Sequence, residues 1–155
     1  MQITRINEQQ LCCWKEQIIS LLDSSVRINF PSFSVGEDYG ARKCEALASY
    51  LKDGSAVVFI AHEESALLGW IWCHPIDRFD KTRLHVAEFA VSGTCRRQGI
   101  GGLLLKAAED YALANGYEEI DLLVTADNEA AVGFYENASF TAERYLMKKE
   151  LKEGE

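Results

Sequence analysis

The chain has 155 residues, of which 48% are hydrophobic and 26% charged, and only two are prolines. This composition predicts a single compact domain over residues 1–155, because a chain of this length can bury a core without disulfide or metal staples. The formal net charge is −8, which excludes nucleic acid as an expected partner, because phosphate binding depends on clustered Lys and Arg.

The N-terminal half predicts two helices followed by a hairpin. Apolar residues recur at helical spacing from Leu11 to Leu22, and a loop over residues 23–40 leads to a second short helix from about Ala41 to Leu51. Residues 56–61 and 67–72 are then rich in β-branched and aromatic side chains. They predict an antiparallel hairpin.

A third strand, residues 82–91, carries a carboxylate among apolar residues. Simple alternation places Glu88 in phase with Leu84, Val86 and Ala90. Burying a charged group is costly unless it is paired or has a task. Glu88 is therefore a candidate functional residue.

The C-terminal half predicts helix, strand, helix and strand. A helix from Gly102 to Asn115 precedes a strand from Glu119 to Thr125, a helix with N-cap residues follows over 127–137, and Phe140 to Leu151 is expected to close the fold as a strand. The order predicts a mixed α/β (α+β) domain in which one strand-helix-strand unit is a parallel crossover.

The cysteines and the N-terminus indicate the compartment. The chain has no C-x-x-C pair and no His at metal-ligand spacing, so we expect reduced, mostly buried thiols and no metal site. The N-terminus resembles no targeting peptide, and no apolar run approaches the ~20 residues that span a bilayer. We therefore expect a cytoplasmic protein without a membrane partner. The thiols are Cys12, Cys13, Cys44, Cys73 and Cys95.

The turn after the third strand has the chemistry of an anion site. Its sequence, Cys95-Arg-Arg-Gln-Gly-Ile-Gly-Gly102, exposes the backbone at a helix N-terminus, where amide N–H groups lack intrahelical partners. A tight turn that lets helix and sheet approach explains the glycines equally well. The Walker A motif and the dinucleotide fingerprint both fail, because Gly-Lys-Ser/Thr is absent and Leu104 replaces the third glycine.

Two motifs carry a resemblance to a known family. Arg96, Gly99 and Gly101 form an Arg-x-x-Gly-x-Gly motif that resembles the acyl-CoA pyrophosphate loop of the GNAT N-acetyltransferase superfamily. Residues 128–140 resemble a second signature of the family, with Asn, an aromatic-Tyr pair and a final Phe, although Ser139 stands at the usual glycine. Residues 1–76 resemble the family only in element order.

This resemblance implies a mostly antiparallel central sheet with helices on both faces and a site for acetyl-CoA as cosubstrate. Loop amides would hold the pyrophosphate, and the pantetheine would lie between the third strand and the strand ending at Thr125. A main-chain N–H of that third strand would stabilise the oxyanion. The residues implied to bind acetyl-CoA are Phe89, Ala90, Val91, Arg96, Arg97, Gln98, Gly99, Ile100, Gly101, Gly102, Asn128 and Tyr135.

The resemblance also implies catalytic roles. Tyr135 is expected to protonate the departing thiolate, although a tyrosine at this spacing also suits ordinary core packing, and Asn128 suits a plain N-cap. The base is open between Glu88, His85 and water. His85 lies on the opposite phase of the strand, and a β-bulge would change which of the two side chains faces the cleft.

The implied reaction is direct acetyl transfer to a primary amine, with a small molecule as the leading acceptor. A protein N-terminal or lysine acetyltransferase and a non-catalytic acyl-CoA sensor are the alternatives, and a homodimer is left open. Acidic and aromatic residues could build a pocket for a cationic amine, although a solvated loop explains the acids as well. They are Glu37, Asp38, Asp77 and Asp80, with Phe33, Tyr39 and Trp72.

Overall fold

The computed structural model describes residues 1–31 and 36–154, and its central feature is a five-stranded sheet. Contacts divide the chain into a first unit, residues 1–123, and a second unit, residues 124–155. The first unit contains β1 (Gln2–Ile6), α1 (Glu8–Asn29), α2 (Tyr39–Lys52), β2 (Val57–Glu63), β3 (Ala66–Arg78), β4 (Lys81–Val91), a 3-10 turn (Gly93–Cys95), α3 (Ile100–Ala114) and β5 (Ile120–Leu122), and the second contains α4 (Glu129–Asn137).

The sheet has the order β1-β2-β3-β4-β5. Its first four strands pair antiparallel, and β4 pairs parallel with β5 through the α3 crossover. The mixed, mostly antiparallel fold with one parallel crossover is therefore confirmed. Strand β1 was not predicted from the sequence, because three of its five residues are polar and no alternation of apolar and polar residues marks it.

The two faces of the sheet are covered by different helices. On one face, Trp70 and Trp72 of β3 join Ile18 of α1 and Leu47 of α2 in a cluster of buried side chains. On the other face, a Cβ at Gly69 would lie 3.1 Å from Leu104 of α3 and 2.9 Å from a β4 carbonyl oxygen. The glycine thus lets α3 approach the sheet closely.

A β-bulge in β4 decides which way its side chains face. Trp72 pairs with Glu88, whereas the next residue of β3, Cys73, pairs with Val86, so β4 has one extra residue at this point. Paired residues share a face and successive residues alternate, so Glu88 faces the α1 and α2 side and Val86 faces the α3 side. The expected common phase of Glu88 with Leu84 and Val86 is wrong, because simple alternation assumes an unbroken ladder.

The second unit differs from expectation at its C-terminal end. Among its described residues, 124–154, α4 is the regular element, and no strand forms over Phe140–Leu151. Tyr145, Leu146 and Met147 are each at least 87% exposed. The prediction of a closing strand is wrong here, because a strand needs a hydrogen-bonded neighbour that alternation in the sequence does not supply.

The thiols are less buried than expected. Cys44 and Cys73 are buried, and burial raises the pKa of the Cys73 thiol to about 12. Cys12 and Cys13 are exposed, because the apolar stripe of α1 turns them away from the core. Cys95, in the turn before α3, is half-buried. Within residues 1–31 and 36–154, no helix is long and apolar enough to cross a bilayer, and no three potential metal ligands cluster.

Candidate active site

The loop over residues 95–102, which we call the pyrophosphate loop, forms an uncapped helix N-terminus. Gly99 is the N-cap of α3 and has a φ of 78°, a left-handed conformation that favours glycine. No side chain of the described residues caps this end, and the first helical hydrogen bond is donated by Leu103 to the Gly99 carbonyl at 3.1 Å. The amides of Ile100, Gly101 and Gly102 therefore have no intrahelical acceptor.

The space above the pyrophosphate loop is open. A Cβ built on Gly99 or Gly102 would meet no heavy atom within 4 Å. The side chains of Arg96, Arg97 and Gln98 are exposed, whereas the Ile100 side chain is 3% exposed and anchors the helix. Unpaired amides, the positive end of the helix dipole and two guanidinium groups fit an anionic group such as a diphosphate.

Next to the loop, β4 extends beyond its parallel partner. The ladder with β5 joins Leu84–Val86 to Ile120–Leu122 and stops there, whereas β4 continues to Val91. Phe89, Ala90 and Val91 pair with β3 on their other side. The geometry is compatible with the expected separation of the two strands at residues 89–91.

Glu88 is a half-buried carboxylate on the face covered by α1 and α2. Its side chain is 21% exposed, and Oε1 lies 3.7 Å from Nζ of Lys43 on α2. Burial raises the pKa of Glu88, and the Lys43 ammonium lowers it in part. A carboxylate with a raised pKa holds a proton more readily at neutral pH than an exposed one, which suits a group that accepts a proton from an amine.

His85 belongs to an ion cluster that the sequence did not predict. Its Nδ1 donates to Oδ1 of Asp121 at 2.6 Å, and Arg78 and Arg83 also donate to the Asp121 carboxylate. Burial raises the pKa of Asp121, but the hydrogen bonds from His85 and Arg78 outweigh it and hold the pKa below its usual value. The parallel register, which places His85 beside Asp121, could not be read from the sequence.

The bulge places His85 and Glu88 on the same face. His85 pairs with His74, and Glu88 pairs with Trp72, two residues away along β3. Tyr50 of α2 stacks on His74 with ring centroids 5.9 Å apart, and the His74 ring lies 5.3 Å from that of His85. The expectation that His85 and Glu88 oppose each other is therefore wrong: the bulge lies between them and brings both to the side of α2.

In the second unit, the predicted residues lie at the two ends of α4. Asn128 is its N-cap and accepts a hydrogen bond from the Ala131 amide at 3.1 Å. Tyr135 is half-buried, and its ring lies 5.6 Å from that of Phe140. Ser139 has a φ of 70°. The left-handed conformation explains why a glycine is usual there.

The expected acidic pocket is only partly described. Phe33 lies outside the described residues. Asp38 pairs with Arg42, and Asp77 accepts a hydrogen bond from Thr82. Trp72 is 4% exposed and belongs to the core. Glu37 and Asp80 are exposed and Tyr39 is half-buried, so the acidic pocket stays a prediction.

Comparisons with known proteins agree with this geometry. The sequence profile of the acetyltransferase (GNAT) family matches residues 20–140, and the chain belongs to that family. A putative acetyl transferase from Pyrococcus furiosus is 29% identical and superimposes with a TM-score of 0.75 over 97% of this chain and all of that chain. A predicted acetyltransferase from Clostridium acetobutylicum, solved with acetyl-CoA, shares the fold at a TM-score of 0.77 and 12% identity over 96% of this chain and 95% of that one.

Curated relatives match parts of their own length. A mycothiol acetyltransferase from Propionibacterium freudenreichii is 29% identical over 77% of this chain and 40% of that protein. N-alpha-acetyltransferase 30 from Schizosaccharomyces pombe is 32% identical over 58% of this chain and 61% of that protein. The chain thus spans about two fifths to three fifths of the length of these relatives. The resemblance to the GNAT superfamily is confirmed, and the roles of individual site residues stay predictions.

Proposed function

We propose that the chain is an N-acetyltransferase that moves the acetyl group of acetyl-CoA to a primary amine of a small molecule, by direct attack, and that one acetyltransferase domain covers residues 1–155. The observation that carries this proposal is the uncapped N-terminus of α3 at the pyrophosphate loop, open above Gly99 and Gly102. Membership of the GNAT family supports the same function.

In this proposal, acetyl-CoA is held mainly by backbone. Amides of residues 97–102 bind the pyrophosphate, and Arg96 adds positive charge at the loop. The main chain of Phe89–Val91 bonds to the pantetheine, and one of its N–H groups stabilises the tetrahedral oxyanion. A preorganised donor of this kind contributes about 3 kcal/mol.

Two side chains move protons. An alkylammonium has a pKa near 10.4, so the acceptor must lose a proton before its nitrogen attacks the thioester carbonyl. Glu88 takes that proton directly or through water, and its contact with the Lys43 ammonium supports this role. As the C–S bond breaks, Tyr135 gives its phenolic proton to the thiolate, and the tyrosinate is reprotonated from solvent.

A peptide acceptor is the second candidate, and the similarity to N-alpha-acetyltransferase 30 favours it. The two candidates differ in the shape of acceptor that they admit: a small amine suits a closed pocket, and a peptide needs an open groove. A thiol-release assay with acetyl-CoA against polyamines, aminoglycosides, amino acids and peptides tests both. Turnover on peptides alone would replace the small-molecule proposal.

The experiment that tests the mechanism is Tyr135→Phe. We expect a fall in kcat of about 100-fold, with the affinity for CoA nearly unchanged, because the substitution removes only the transferable proton. Phe134→Leu, which also alters an aromatic ring of α4 but no hydroxyl, is the matched control. Normal turnover by Tyr135→Phe would remove Tyr135 as the general acid.

A further inference from the structure

The amino group of Lys43 lies where the proposed mechanism requires an acceptor amine. Its Nζ is 3.7 Å from Glu88 Oε1 and 5.7 Å from the centroid of the Tyr39 ring. Both Lys43 and Tyr39 belong to the N-terminal part of α2. The ammonium therefore lies close to both a carboxylate and an aromatic ring, the two kinds of group that bind a cationic amine.

This ion pair differs from the other lysine pairs of the first unit. Lys106 pairs with Asp110 one helical turn away, with side chains 65% and 57% exposed, and Lys81 pairs with Glu118 and Glu119, which are 75% and 40% exposed. Lys43 instead reaches across from α2 to β4 and contacts a carboxylate that is 21% exposed. The Lys43 side chain itself is 41% exposed, so it can move without opening the core.

We propose that Lys43 is a self-acetylation site, at which the protein transfers the acetyl group of bound acetyl-CoA to its own chain when no external amine is present. This inference rests on the proposed function, because it uses the same base and the same thioester. The residue after Glu88 begins the main-chain segment, Phe89–Val91, that is assigned to the pantetheine and the oxyanion. An amine in contact with Glu88 is therefore next to the strand along which the thioester would lie.

The step balances without a further reactant. The Lys43 ammonium gives one proton to the Glu88 carboxylate, and the neutral Nζ attacks the thioester carbonyl carbon. A C–N amide bond forms, the C–S bond breaks, and the second proton of the nitrogen passes to the thiolate. The products are Nε-acetyl-Lys43, CoA with a free thiol and the proton that Glu88 releases to solvent.

The test is a time course of the whole protein with acetyl-CoA and no added amine, followed by intact mass and peptide mapping. We expect one acetyl group, on Lys43, at a rate that does not depend on protein concentration, because the reaction is intramolecular. Lys106 is the internal control for chemical acetylation, since it also pairs with a carboxylate. Lys43→Arg, which keeps the charge, should abolish the mass increase, whereas Lys106→Arg should leave it unchanged.

A second variant tests the role of the ion pair. Glu88→Gln should slow the labelling of Lys43 at least tenfold and leave the background at Lys106 as it was. Equal labelling of Lys43 and Lys106, or a labelling rate that rises with protein concentration, overturns the inference. A protein that acetylates an external amine but never Lys43 also overturns it and leaves the proposed function standing, whereas a protein that binds no acetyl-CoA by calorimetry overturns both.

Discussion

The pyrophosphate loop could be predicted from the sequence, whereas the orientation of the Glu88 and His85 side chains on β4 could not. In the proposed function, the loop acts through backbone amides whose exposure follows from the glycines at positions 99, 101 and 102, so the motif by itself predicts the site. The candidate bases Glu88 and His85 would act through their side chains, and a single extra residue in β4 decides whether the two side chains lie on the same face of the sheet. A backbone site is thus readable from local sequence, whereas a side-chain site on a strand depends on register.

The largest expected effect tests the backbone site at the pyrophosphate loop. Gly101→Glu places bulk and negative charge beside the diphosphate position, so we expect CoA affinity to fall more than 100-fold, about 3 kcal/mol or more. The measurement is calorimetry with CoA, or the rise in thermal stability that CoA causes. For the unaltered protein, a hundredfold excess of CoA over Kd should raise the free energy of unfolding by about 2.7 kcal/mol. Leu113→Glu, on an exposed position at the far end of α3, is the control. Unchanged binding in Gly101→Glu would place the coenzyme elsewhere.

The second-largest expected effect tests the role of the Glu88 side chain. Glu88→Gln should lower kcat about 100-fold near neutral pH and less at high pH, where the amine loses its proton to solvent. Because burial raises the pKa of Glu88, the rising limb of the pH–rate profile should lie above the ordinary carboxylate range and should vanish in the variant. Glu45→Gln, an exposed change on α2, is the control. A pH profile shared by Glu88→Gln and the unaltered protein would exclude Glu88 as the base.

The ion cluster around Asp121 should affect stability. Asp121→Asn removes the carboxylate that pairs with Arg78 and His85, while Arg83 keeps its pair with Glu119, and we expect a loss of about 2 kcal/mol at neutral pH by denaturant unfolding. The folded-state pKa of Asp121 is lowered, so its contribution is complete above its unfolded pKa, about 3.9, and is lost as the pH falls through the folded value. The gap between variant and unaltered protein should therefore narrow in acid. Asp110→Asn, in an exposed pair, should change stability little.

The smallest expected effect concerns the backbone conformation at the C-terminal ends of two helices. The helices α3 and α4 both end in a Schellman motif. The Tyr117 amide donates to the Ala112 carbonyl after α3, and the Phe140 amide donates to the Tyr135 carbonyl after α4, each at 2.9 Å. Gly116 holds the left-handed position after α3 with a φ of 79°, but Ser139 holds it after α4 with a φ of 70°.

A serine in this conformation is strained, so Ser139→Gly should raise the free energy of unfolding by about 1 kcal/mol. Gly116→Ser is the reciprocal change and should lower it by a similar amount. Thermal or denaturant unfolding measures both. No gain from Ser139→Gly would show that the serine side chain compensates for its strain.

Several elements could be predicted because their signals are local. Helical apolar spacing predicted α2 within two residues at each end. For α1 it predicted the part up to Leu22, and the expectation of a loop from residue 23 is wrong, because the helix continues to Asn29. Asn128 and Gly116 marked helix ends through capping chemistry that involves neighbours in the chain. The predicted hairpin and third strand also form, as β2, β3 and β4. Strand β1 and the irregular backbone of the described residues 140–151 could not be predicted, because pairing with a distant strand decides whether a strand forms.

The sequence was sufficient for the fold class, the family and the position of the uncapped, glycine-containing turn before α3, since short-range physics controls glycine backbones, helix ends and apolar periodicity. Only the tertiary structure decided that Glu88 faces α2, that Lys43 reaches it, and that His85 lies against Asp121. These contacts join residues that are 45 and 36 positions apart. Their physical cause is strand register, which is fixed by packing across the whole sheet rather than by any local segment.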